Sequence, residues 1–182
     1  GTSFIGWQIQ KKGNSIQKTI ESSLSKLLKQ KIKLYGSGRT DSGVHALEQS
    51  AHFDVKNNIK NIDKVIKSLN FFLNKKMISI INIKKKYKNF HARHSAKERS
   101  YLYIILNRAS PSTLNKDRNW HIRKKLDLNL IKKASKKLIG THDFSTFRAS
   151  NCNSRSSVRT INEIVITKSK DFIKLRFKSK SF

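Results

Sequence analysis

The stretch Gly36-Ser37-Gly38-Arg39-Thr40-Asp41-Ser42-Gly43-Val44-His45 decides how the chain is read. Its three glycines, Gly36, Gly38 and Gly43, mark backbone that turns sharply or takes positive φ, which is free of steric cost only without a Cβ. One cation, Arg39, and one carboxylate, Asp41, sit two residues apart inside it. The following segment, Gln49 to Val55, reads as a strand bounded by the loop and by the polar Lys56-Asn57-Asn58. A polar, glycine-rich loop with opposite charges at the start of a strand can hold a catalytic carboxylate rigidly. The same residues also suit a plain turn ended by Asp41, with Arg39 a surface charge.

Outward from the loop, apolar spacing predicts an alternation of helices and strands. Asn14 or Ser15 caps a helix running to about Lys29, with Ile16, Ile20, Leu24, Leu27 and Leu28 on one face. Ile32 to Tyr35 is a short strand leading into the loop. Asn61 or Asp63 opens a second helix with Val65, Ile66, Leu69 and Leu73 inward, and Met77 to Ile83 is the next strand. The basic Lys84-Lys85-Lys86-Tyr87-Lys88-Asn89 then divides a half spanning 1–86 from one spanning 87–182. In the second half, Ser100 to Asn107 is a strand apolar on both faces, as in a covered central strand. Asp127 to Ile139 is a helix with Leu130, Ile131, Ala134 and Leu138 inward, stopped by Gly140. Ile161 to Thr167 and Phe172 to Lys178 are two more strands joined by a short turn, and Ile173, Leu175 and Phe177 form a face expected to pack on that helix. Turns too short for crossover helices point to α+β layers with largely antiparallel sheets.

The chain has 182 residues, enough for a real core. Forty Lys and Arg against eleven Asp and Glu give a formal charge of +29, which attracts polyanions. Nucleic acid is the natural partner, since each neutralised phosphate releases counterions. Lysine, asparagine and isoleucine are abundant throughout, so biased codon usage accounts for part of that charge. Cys152 is the single cysteine, which excludes an internal disulfide and suits a reducing cytoplasm. No apolar run approaches the roughly 20 residues of a membrane span, and no signal-peptide pattern opens the chain.

The central loop resembles the G-R-T-D-x-G-V-H signature of the A-type (TruA-like) tRNA pseudouridine synthases. Further segments fall in that family's order: Gly6-Trp7-Gln8-Ile9-Gln10, Phe90-His91-Ala92-Arg93, Arg99-Ser100-Tyr101, Asp143 to Ala149, then Cys152, Ser154 and Arg155. The resemblance implies two ferredoxin-like halves whose sheets abut, with an active-site cleft between them. It implies an isomerase that converts uridine to pseudouridine at positions 38, 39 and 40 of the tRNA anticodon stem-loop. It also implies a cytoplasmic homodimer with tRNA as partner and no cofactor, metal or membrane. Asp41 matches the family's nucleophile, Arg39 its accompanying basic residue, and Tyr101 the tyrosine that stacks on the target base. Arg93, Arg99, Arg148 and Arg155 fall inside family motifs as candidates for RNA contact. Ser100 stands where members carry a second basic residue, and Asn74 where they carry proline. The family also implies a strand before Gly1 and an F-x-x-x-M-V-R segment starting at Phe182, whose arginine this sequence lacks. A chain ending there is expected to be inactive alone and to leave apolar surface uncovered.

Breaking the N1–C1′ bond, turning the base and forming C5–C1′ calls for a nucleophile and a surface that retains the detached base. A buried carboxylate beside a guanidinium fits the first need, since the guanidinium favours the ionised form. Stacking on Tyr101 would contribute about 1–3 kcal/mol toward flipping a nucleotide out. Rival motifs fail on their residues. Gly36-Ser37-Gly38 lacks the third glycine of a dinucleotide fingerprint, and Ser42 lacks the flanking glycine of a nucleophile elbow. His91 and His94 have zinc-like spacing but no second pair. The remaining alternative is a basic RNA-binding module without catalysis, which has no use for an Arg–Asp loop.

Overall fold

A computed structural model describes residues 1–148 and 156–182. The chain divides into two compact units, Gly1–Ala96 and Lys97–Phe182. Residues 87–96, expected with the second half, lie in the first unit, where the rings of Phe90 and His91 meet His52.

In the first unit, helix α1 (Ile16–Leu28) starts where Ser15 accepts a hydrogen bond from the Lys18 amide, and stops at Lys29, whose φ of 51° ends the helical run. Helix α2 (Ile62–Leu73) is capped by Asn61 in the same way. Their apolar faces build the core: Ile20 and Leu24 from α1 meet Val65, Leu69 and Leu73 from α2, with Trp7, Ile32 and Leu34.

The extended segments of this unit follow the expected alternation but form little ladder. Only β1 (Tyr35–Gly36) and β2 (Ala51–His52) pair, antiparallel, with Tyr35 opposite His52. Side chains of the helices supply the missing partners. The Leu34 amide donates to Glu21 at 2.8 Å, its carbonyl accepts from Gln17 at 2.9 Å, and the Ile32 amide donates to Ser25. Met77 to Ile83, expected as a strand, is held the same way. Asn70 of α2 accepts the Ile80 N–H at 2.7 Å and donates to the Ile80 carbonyl at 3.0 Å. An orphaned buried polar group costs about 1–3 kcal/mol, so Asn70→Ala is expected to lower stability by about 2 kcal/mol. Thermal unfolding would read this as a fall of several degrees, and an unchanged midpoint would contradict it.

The second unit is a five-stranded sheet in the order β4-β3-β7-β6-β5. Its strands are β3 (Arg99–Asn107), β4 (Trp120–Ile122), β5 (Gly140–Asp143), β6 (Val158–Ser169) and β7 (Phe172–Ser179). Every neighbouring pair is antiparallel except β3 with β4. β7 is central, and Tyr101, Tyr103 and Ile105 lie opposite its Phe177, Leu175 and Ile173. Ile105, Leu106 and Ile173 are buried, whereas Tyr103 is 59% exposed.

Helix α3 (Leu128–Lys136) is shorter than its apolar pattern suggested. Asp127 caps it through the Asn129 and Leu130 amides at 2.8 and 3.1 Å. It makes contact with β6. Leu130 and Ala134, expected inward, are exposed, and Ile131 and Leu138 are only half-buried. No described helix is long and apolar enough to cross a membrane.

Candidate active site

The loop of residues 36–45 is built from outside itself. At the start of α1, the Ile16 and Gln17 amides donate to the Gly6 and Trp7 carbonyls, fixing the Gly6-Trp7 segment on the helix. The Trp7 amide in turn donates to the Thr40 carbonyl at 2.9 Å. Gly6 has φ +112°, and a Cβ there would stand 2.7 Å from the Thr40 carbonyl oxygen. The Trp7 ring is buried against Gly36, where a Cβ would come within 2.7 Å of the indole. Both glycines are thus required by close approach. Gly43, at φ +81°, is required instead by the turn from Asp41 to Val44, closed by Val44 N–H donating to the Asp41 carbonyl. Ser42 Oγ donates to the Phe4 carbonyl, and Gln49 Nε2 to the Gly38 carbonyl at 2.9 Å.

This clamp fixes the backbone on both sides of Asp41 and leaves the residue itself exposed. The expectation of a buried Arg39–Asp41 pair is corrected here. Both residues face solvent and make no ion pair with each other. Two residues apart in a loop held by its main chain, their side chains are not forced together.

Arg93 belongs to the same unit and is exposed; its amide donates to His91 Nδ1. Tyr101, Arg99 and Arg148 belong to the second unit. Tyr101 is half-buried on β3, its ring 4.9 Å from that of Phe182 and edge-on to it. The Arg99 guanidinium donates to the Lys180 carbonyl, which ties the start of β3 to the end of β7. Arg148 is exposed and follows a short turn. Asp143 closes that turn by accepting the Ser145 amide at 2.9 Å, and hydrogen bonds from Ser157 and Ser145 hold its carboxyl below the usual range. Arg155, like Ala149, Cys152 and Ser154, lies outside the described residues.

Sequence reasoning missed two parts of this arrangement. One is the clamp by Gly6-Trp7, for which the only signal was the family motif itself. The other is a run of rings: Tyr35 stacks on His52 at 5.0 Å, His52 meets His91 at 4.6 Å, and His91 meets His94 at 4.5 Å.

A clamped glycine-rich loop presenting an exposed carboxylate, within an α+β chain of charge +29, fits an enzyme that acts on a polyanion. Residues 1–95 and 134–182 match the family described as tRNA pseudouridine synthase, and the chain belongs to that family. It is 60% identical over 182 residues to "tRNA pseudouridine synthase A" of Pelagibacter ubique (strain HTCC1062), covering 100% of this chain and 74% of that protein. Proteins of the same name from Anaplasma phagocytophilum (strain HZ) and Ehrlichia canis (strain Jake) are 41% and 43% identical, with the same coverage. The family match leaves out residues 96–133, which include Arg99 and Tyr101, whereas the similarity to these relatives runs through them.

Proposed function

We propose that this chain isomerises uridine to pseudouridine in tRNA, at positions 38, 39 and 40 of the anticodon stem-loop. The observation that carries this reading is the clamped Gly36–His45 loop, which holds Asp41 open to solvent on a fixed backbone. Asp41 is the nucleophile. The bond its carboxylate forms to the nucleoside is transient: the N1–C1′ bond breaks, the base turns, C5 bonds to C1′ and gives its proton to solvent, N1 takes one up, and the carboxylate is released unchanged. Reactant and product are isomers, so the step balances without an oxidant, a reductant or a group donor. Tyr101 stacks on the target base and Arg39 holds the substrate beside Asp41. Arg93, Arg99, Arg148 and Arg155 supply RNA contacts. The resemblance to the family further supports a cytoplasmic homodimer as the working form.

Mapping pseudouridine in anticodon stem-loop transcripts incubated with the chain joined to the flanking segments of the Pelagibacter ubique relative tests this reading. Modification confined to uridines 38–40 is expected, and modification elsewhere would contradict the site assignment. Electrostatics give an independent check. If about six phosphates are neutralised, log K for tRNA falls against log salt with a slope near −5. A slope shallower than about −2 would mean that most of the lysines and arginines face away from RNA.

A further inference from the structure

The first unit carries an open cavity of about 370 Å³ that the proposed reaction does not use. It begins at Ala51 and His52, which pair with Tyr35 and Gly36 at the foot of the central loop, and every residue lining it falls between 51 and 90. Its volume lies in the range of about 300–1,000 Å³ in which proteins enclose small organic ligands.

Three kinds of side chain line it. Phe53, Val55, Ile59 and Ile83 are half-buried and give it apolar walls. Asn58 and Asn82 are exposed, and among the described residues neither carboxamide has a hydrogen-bond partner, so each keeps a donor and an acceptor for a ligand. Lys84, Lys85, Lys86 and Lys88 are all exposed, and none has an acidic partner among the described residues. Asp54 is the single acid lining the cavity. Among the lysines, Tyr87 is 82% exposed, and the Lys86 ammonium lies over the Phe90 ring at 5.7 Å.

One class of ligand matches all three. The flat faces of a nucleobase suit apolar walls and rings, its edge suits a carboxamide, and its phosphates suit ammonium groups. Four unpaired lysines exceed the charge of one phosphodiester, which favours a strand over a single nucleotide. Cations interleaved with exposed rings are the pattern by which proteins hold unpaired nucleic acid, since pairing would occupy the edge of the base.

We propose that this cavity holds one unpaired nucleotide of the RNA substrate, with the base edge against Asn58 and Asn82 and the adjoining phosphates on Lys84, Lys85, Lys86 and Lys88. The site deepens the function proposed above and rests on RNA being the substrate.

Fluorescence anisotropy on the chain joined to the flanking segments of the Pelagibacter ubique relative tests it. The probes are fluorescein-labelled hexauridylate and an abasic ribose-phosphate hexamer of the same charge. Hexauridylate is expected to bind about tenfold more tightly than the abasic hexamer. Asn58→Leu combined with Asn82→Leu keeps the charge, and is expected to weaken hexauridylate about tenfold while leaving the abasic hexamer unchanged. Alanine at all four of Lys84, Lys85, Lys86 and Lys88 is expected to weaken both probes about tenfold or more. The same change at the exposed Lys132, Lys133, Lys136 and Lys137, around α3, removes equal charge and is expected to cost less than about threefold. Equal losses from the two lysine sets would reduce the site to diffuse charge. Hexauridylate affinity unchanged by the asparagine substitutions would mean that no base enters the cavity. Either result overturns the proposal. Should the leucine pair unfold, seen by circular dichroism, alanine at both positions replaces it. No turnover is read. Hexauridylate held in this way by a chain that forms no pseudouridine leaves the cavity standing, and pseudouridine formed by a chain indifferent to these changes overturns the cavity alone.

Discussion

Asp41→Ala is expected to abolish pseudouridine formation while leaving tRNA affinity within a few-fold. The asymmetry follows from what the side chain can do. Asp41 carries the only carboxylate of the loop, and the backbone contacts around it do not pass through its side chain. It neutralises no phosphate, so its removal leaves the counterion-driven part of tRNA binding in place. The variant is best made in the chain joined to the flanking segments of the Pelagibacter ubique relative, of which it spans 74%. Turnover above about a tenth of the parent would end the assignment of Asp41 as nucleophile. A large loss of affinity with turnover of bound tRNA unchanged would make it a binding residue instead.

The second large effect is expected at Gly6, some distance along the chain from Asp41. Gly6→Ala adds a methyl 2.7 Å from the Thr40 carbonyl oxygen at a residue with φ +112°. The strained backbone costs about 1–3 kcal/mol and the overpacking about as much again. Because the obstruction is backbone, relief comes only by moving Thr40 and Asp41. A displacement of the order of 1 Å at a catalytic group costs roughly a hundredfold in rate. Gly43→Ala is the control, since its φ of +81° is also left-handed but its Cβ would meet nothing within 4 Å. Denaturant unfolding should therefore show Gly6→Ala losing clearly more stability than Gly43→Ala. Equal losses would mean that the Gly6–Thr40 approach is not what holds the loop.

How far the sequence foretold this structure differs element by element. Asn14 or Ser15, Asn61 or Asp63, and Asp127 marked three helix starts to within two residues, and Ser15, Asn61 and Asp127 are the caps, because a capping side chain is read from its neighbours alone. β3, β6 and β7 were legible from their alternation and short connections. Ile32 to Tyr35 and Met77 to Ile83 show the limit. Their apolar alternation was visible, but a ladder depends on a partner elsewhere, and here Glu21, Gln17 and Asn70 supply the hydrogen bonds. Leu130 and Ala134 fit an inward helical face by spacing, yet whether a face is covered depends on how the helix lies on its sheet.

The site divides in the same manner. The loop residues were identifiable one by one because glycines and charges carry local meaning. Burial of the Arg39–Asp41 pair was not, since it depends on what packs above the loop. His52, His91 and His94 come from two separate stretches, and only tertiary contact makes them neighbours. Spacing set His91 and His94 apart as a zinc-like pair without a second pair, and gave no sign that their rings would meet each other and His52.

Forming the C5–C1′ bond replaces the hydrogen on uridine C5, so tRNA tritiated at that carbon reports the reaction directly. With the chain joined to the relative's flanking segments, tritium should enter water in proportion to the uridines at 38–40, and Asp41→Ala should release almost none. Tritium retained by tRNA that is demonstrably bound, or released equally by the Asp41→Ala protein, would contradict the account.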